Sequence, residues 1–158
     1  MNSLARARLL ALLLPAALLA GAWGSQIIGG LYPCEMCHWQ RWPHYAALAL
    51  ALLAILLRRT SASRALTLLA ALAIFISGAI GVFHAGVEYG WWQGFTQCSA
   101  LITGGGDAAS VLDQIMSAPT IRCDEVQWSL FGVSLAGWNA LFSISGAILI
   151  GILCLKRR

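Results

Sequence analysis

Four runs of apolar residues, at approximately 9–28, 42–57, 65–87 and 133–155, constrain this chain more than any other feature. A hydrocarbon core takes about 20 helical residues to cross. Lipid offers backbone amides no partner, and the runs lack the strict alternation of barrel strands, so helix is the form expected of them. Composition agrees, since 59% of the 158 residues are hydrophobic and only 10% charged, with a mean hydropathy of +0.77, where a soluble domain carries about a quarter charged. The expected architecture is an all-α membrane protein, a single integral domain over residues 1–158 formed as a four-transmembrane-helix bundle. Its surroundings are the lipid bilayer, and no nucleic acid is expected.

The second run is short unless residues 37–41 join it, which draws a Cys34-Glu35-Met36-Cys37 motif into the helix start. Pro33 suits the approach to a helix, and Pro43 would fall in the first turns, where a missing donor is tolerated. Charge sets the expected sidedness. Arg6, Arg8, Arg58, Arg59, Arg64, Lys156, Arg157 and Arg158 share one side, which the positive-inside rule makes cytoplasmic, together with both termini. The opposite side receives Arg41, Arg122 and all the acidic residues, in loops at approximately 29–41 and 88–132. Four cysteines, Cys34, Cys37, Cys98 and Cys123, then face an oxidising exterior, where thiols pair and stay paired. The first run also imitates a cleavable signal peptide at Ala20-Gly21-Ala22. Its hydrophobicity continues through Trp23, Ile27 and Ile28, so it is expected to remain as an anchor.

A C-x-x-C pair at a helix start reads as redox-active, because the N-terminal partial charge stabilises thiolate. Cys34, Cys37 and Arg41 recur at i, i+3 and i+7, on one helical face. An arginine at membrane depth is costly and therefore a functional candidate. Arg41 could polarise a carbonyl oxygen or hold an anionic reduced ring, or it could snorkel to lipid headgroups. His84 is deep enough to face such a ring from the opposite wall, or to bond within the bundle. The tryptophans and tyrosines nearby suit an interfacial belt, and no firm role falls to His38 or His44. Zinc would need four converging ligands, which the spacing of Cys98 and Cys123 does not suggest.

Between Cys98 and Cys123 lie Gly104-Gly105-Gly106 and a helical pattern from Asp107 to Ala118, closed by Pro119. A short interfacial helix is expected there. The loop would either carry the second cysteine pair between a soluble partner and the first pair, or form a rigid disulfide-closed lid. Cys154, at the other end, reads as an inert lipid-side thiol.

Pro-Cys-Glu-Met-Cys-His-Trp-Gln-Arg at 33–41, the loop pair, and Cys123-Asp-Glu-Val-Gln-Trp-Ser-Leu-Phe-Gly-Val-Ser before the last span resemble the DsbB family of disulfide bond formation proteins. The resemblance spans essentially the whole chain, although Glu35 and Met36 fall at variable positions. It implies a quinone-linked thiol oxidase, a protein-dithiol:quinone oxidoreductase of the bacterial inner membrane. Such an enzyme reoxidises a periplasmic DsbA-like partner and passes the electrons to ubiquinone or menaquinone. It further implies that Cys98 forms the mixed disulfide with the partner, that Cys123 passes the reaction to Cys34, and that Cys37 acts on the quinone with Arg41 at a ring oxygen. Two rivals remain at this stage. One is a membrane scaffold or sensor with structural disulfides; the other is a vitamin K epoxide reductase-like enzyme, which usually carries a C-x-x-C at its last span.

Overall fold

The computed structural model describes residues 2–94 and 121–156. Among them are four helices, α1 (Ser3–Ile27), α2 (Glu35–Leu56), α3 (Ala62–Glu88) and α4 (Leu135–Leu155), and a two-strand ribbon of β1 (Ser129–Leu130) and β2 (Val133–Ser134). α1, α3 and α4 are long and apolar enough to cross a membrane. α2 has 22 residues, but His38, Gln40, Arg41 and His44 make its first half polar. The expected interfacial helix, like Cys98, lies outside the described residues.

Small residues let the helices approach closely. α3 lies between α2 and α4, and α1 packs on α2 and α4. A methyl group added at Gly81 would stand 2.9 Å from the Ala136 carbonyl oxygen and 3.1 Å from the Ala140 nitrogen. One added at Gly78 would meet Ile144 at 2.8 Å. Ala7, Ala11, Ala47, Ala51, Ala70 and Ala147 fill the core around Ile74 and Ile150. Small-on-small packing is how helices associate in lipid, where apolar side chains gain nothing by leaving one another's company for the solvent.

Two boundaries differ from expectation. α2 begins at Glu35 because Cys34 caps it, its sulfur accepting from the Cys37 amide at 3.3 Å. The loop expected over 29–41 is therefore shorter, and Pro43 falls in the third turn of α2 rather than the first. Ser77 Oγ donates to the Gln40 carbonyl at 2.7 Å, beside the turn that Pro43 loosens. The last helix begins at Leu135, not at residue 133, because Val133 pairs with Leu130 in the ribbon and Ser134 caps α4. Phe131 and Gly132, both at positive φ, make the ribbon's tight turn. The Tyr89 hydroxyl donates to the Gly132 carbonyl at 2.9 Å and accepts from the Ser134 amide at 2.8 Å, fastening the ribbon to the end of α3.

The bundle has two chemically distinct ends. At one, the Arg8 guanidinium donates to the Arg58 carbonyl, and buried Cys154 lies near Arg8 and Arg64. At the other are Cys34, Cys37, Cys123, His84 and Glu88.

Candidate active site

Three sulfurs gather where α2 begins. Cys34 Sγ lies 2.9 Å from Cys37 Sγ and donates to it, a small movement from the ~2.05 Å of a disulfide bond. Cys34 also hydrogen-bonds side chain to side chain with Cys123. Cys34 and Cys123 are both buried, in a cluster with Met36 and Val87 and flanked by Cys37, Phe83 and Ile121. Sequence reasoning set Cys123 on a water-facing loop. It is instead fully buried, because the chain from Ile121 folds over the α2 start. Arg122, at the surface beside it, makes a two-pronged bond to Asp124 at 2.9 and 2.6 Å. That guanidinium holds the Asp124 carboxyl below the usual carboxylate range.

Expectation also had the helix start favouring thiolate on this pair. For Cys34 the balance is opposite: its thiol is pushed up, first by the hydrogen bond with Cys123, then by that with Cys37 and by burial. Cys34 therefore keeps its proton, and its thiol donates to Cys37 Sγ.

His84 stands against Cys34 from α3, its Nε2 3.5 Å from Cys34 Sγ and 3.8 Å from Glu88 Oε1. It also makes a hydrogen bond to the backbone of Cys123. Its tautomer follows from the neighbours. Gln40 Nε2 donates to the Met36 carbonyl at 3.3 Å, which fixes the amide's orientation, and the same nitrogen lies 2.8 Å from His84 Nδ1. His84 Nδ1 must then accept, so Nε2 carries the hydrogen and shares it between the Cys123 backbone and the Cys34 sulfur. The ligand atoms of Cys34, Cys37 and His84 fall within 4.8 Å of one another, yet a protonated Nε2 is a donor rather than a metal ligand.

Arg41 is buried. It turns toward α1, where its guanidinium donates to Gln26 Oε1 at 2.9 Å and to the Ala22 carbonyl at 3.2 Å, and lies over the Trp23 ring at 5.2 Å. Two of five N–H groups are so engaged, and the cation is fixed rather than snorkelling.

These groups border one cavity of about 230 Å³ between α1, α2 and α4. Cys34, Cys37, Arg41 and His84 line it, and Leu18, Leu19, Ala136 and Phe142 supply apolar wall. An apolar pocket with a few convergent polar groups is the usual form of a small-molecule site. His44 Nδ1 and Trp138 Nε1 are buried nitrogens without a hydrogen-bond partner, and both residues line this cavity. A flat ring bearing oxygens fits the apolar wall and the Trp138 and Arg41 donors.

Of the six residues singled out in the sequence, five converge here: Cys34, Cys37, Cys123, Arg41 and His84. The sixth, Cys98, lies outside the described residues. Sequence reasoning missed Gln40 and Asn139, which tie α2 to α3 and α4 through Gln40 Oε1 and Asn139 Nδ2 at 2.8 Å. A signal existed, because amide side chains are costly inside apolar spans and are kept there for a reason.

The model of the family described as disulfide bond formation protein DsbB matches residues 5–153. A disulfide bond formation protein B of Verminephrobacter eiseniae (strain EF01-2) is 34% identical over 146 residues, covering 87% of this chain and 78% of the relative. An uncharacterized protein of Rickettsia prowazekii (strain Madrid E) is 24% identical over 137 residues, covering 85% of this chain and 78% of that one. No solved structure matches the chain.

Proposed function

This chain belongs to the DsbB family of disulfide bond formation proteins, and from that premise we propose that it is a protein-dithiol:quinone oxidoreductase of the bacterial inner membrane. It reoxidises a periplasmic DsbA-like thiol oxidase and delivers the electrons to a membrane quinone, ubiquinone or menaquinone. The observation that carries this reading is the position of Cys34, in contact with both Cys37 and Cys123 on the wall of an apolar cavity.

Two thiol exchanges move the electrons. A thiolate of the reduced partner attacks Cys98 in a Cys98–Cys123 disulfide, releasing Cys123; the partner's second thiol resolves the mixed disulfide and leaves oxidised. Cys123 then attacks Cys34 in the Cys34–Cys37 disulfide and expels Cys37 as thiolate. Cys98 resolves the new bond, so the loop disulfide is restored and Cys34 and Cys37 become the dithiol. Each step breaks one S–S bond and forms one. Contact between Cys34 and Cys123 supports the second exchange, since the attacking sulfur must reach its target.

When bound, a quinone supplies an acceptor for two electrons and two protons. Cys37, Arg41, Gln40 and His84 would hold it, as the polar groups lining the cavity nearest the dithiol. The His84 Nε2–H stabilises charge on Cys34 when Cys98 attacks Cys123 and expels Cys34 as thiolate. Arg41, already oriented by Gln26, provides fixed positive charge beside the ring. Four crossings, with both termini cytoplasmic and the dithiol end periplasmic, complete the arrangement, supported by Arg8, Arg58 and Arg64 lying at the end away from the sulfurs.

The test is oxidation of a reduced thiol protein by the purified chain with and without added quinone. Turnover is expected to require quinone, and blocking quinone reoxidation should make all four cysteines accumulate as thiols that alkylate once the protein is denatured. An unchanged alkylation pattern would sink the redox reading. Cys98→Ser should abolish the mixed disulfide with the partner, whereas Arg41→Ala should raise the quinone KM far more than the KM for the thiol partner.

A further inference from the structure

Seven residues beyond Cys37 on α2, the hydrogen-bond network around His44 is fully oriented, and one atom in it is left over. Asn139 Nδ2 donates to the Ser77 carbonyl at 3.3 Å, as well as to Gln40 Oε1, so the amide has only one possible orientation. Asn139 Oδ1 must therefore face His44 Nε2, 2.9 Å away. Ser77 Oγ, also 2.9 Å from that nitrogen, spends its own hydrogen on the Gln40 carbonyl and can only accept. Ser143 Oγ donates to the same Asn139 Oδ1 at 3.0 Å. Two acceptors on Nε2 require the hydrogen to sit there, which makes Nδ1 a bare lone pair. His44 is 3% exposed, its Nδ1 is buried without a partner, and it lines the cavity.

A buried acceptor without a donor is costly, and a ligand that brings an O–H removes the cost. Arg41 and His44 are three residues apart on α2, ~4.5 Å along the helix axis, about the width of one six-membered ring. A quinone offers only acceptor oxygens, whereas its reduced form offers hydroxyl donors. We propose that His44 Nδ1 is a product-recognition site, which accepts a hydrogen bond from a ring hydroxyl of the hydroquinone and so makes the cavity bind the reduced ring in preference to the oxidised one. The inference rests on the quinone reading above and names a specificity-determining residue within it. Trp138 Nε1, the other unpartnered nitrogen of the cavity, only donates, and a carbonyl or hydroxyl oxygen satisfies it equally. It contributes affinity without discrimination.

The experiment compares binding of a short-tail benzoquinone and of its two-electron-reduced form to the full chain in detergent, in a Cys37→Ser background that prevents turnover. His44→Leu is expected to weaken hydroquinone binding by about 5-fold, the usual worth of one hydrogen bond, and to leave quinone binding within about 2-fold. Trp138→Phe should weaken both forms alike. Equal losses for both forms in His44→Leu, or no loss for the hydroquinone, would overturn the proposal. A second measurement needs no cavity variant: with 15N-labelled histidine, the unprotonated His44 Nδ1 resonance should move upfield on adding hydroquinone and stay put on adding quinone. A protonated Nδ1 in the ligand-free chain would refute the assigned tautomer and the proposal with it. If neither form binds the unaltered cavity, it is the quinone reading that fails; if both bind with no effect of His44, only the recognition role does.

Discussion

Cys34 spends its proton on its neighbours, and that governs how it reacts. A thiol whose folded-state pKa is raised contributes stability that is fully present below the ordinary thiol range, near pH 8.5, and is lost as pH rises through the folded value. In the reduced protein, Cys34 should therefore alkylate slowly through neutral pH and the fold should weaken on going alkaline. Because the largest cause is the hydrogen bond with Cys123, Cys123→Ala should move the onset of Cys34 alkylation to lower pH. Rates followed by mass spectrometry across pH 6–10 (a range set by ordinary thiol values) check this, and an unchanged profile would count against that contact. Gln40 offers a second test. Gln40→Leu leaves His84 Nδ1 and Asn139 Nδ2 short of partners, which should cost about 1–3 kcal/mol, seen as a lower thermal midpoint in detergent. The cysteines and Arg41 were legible in the sequence because their chemistry is rare in apolar runs. Gln40 was harder to see, since its value lies in which carbonyls and amides face it from α3 and α4.

At the scale of elements, the α3–α4 seam is set by glycine. Gly81 has no room for a methyl group against the Ala136 carbonyl, so Gly81→Val should separate the helices and pull Asn139 away from Gln40. Loss of stability of about 1–3 kcal/mol, with reduced quinone affinity, is the expected outcome; wild-type values for both would refute the seam as drawn. Length and hydropathy made α1, α3 and α4 readable from the chain alone. The start of α2 was half readable, because its cap is a cysteine sulfur rather than one of the usual hydroxyl or carboxylate caps. The ribbon at 129–134 was not, since Val133 and Ser134 look like the edge of an apolar span. What makes them strand is Tyr89, 45 residues before Ser134 in the chain, bonding to both sides of the turn.

For the whole molecule, the polar half of α2 has a consequence for how the protein is made. Gln40, Arg41 and His44 cannot enter lipid alone, and their partners sit on three other helices: Gln26 on α1, Ser77 and His84 on α3, Asn139 on α4. α4 is synthesised last. Until it emerges, Gln40 and His44 lack their Asn139 partner, and a polar group left without a partner in apolar surroundings is costly. A chain ended before Leu135 should therefore leave Cys34 and Cys37 open to a membrane-impermeant maleimide, while the full chain protects Cys34; equal protection would show that α2 seats without α4. The bond from Asn139 to Gln40 would then make the seating of the second helix depend on the last one to be synthesised.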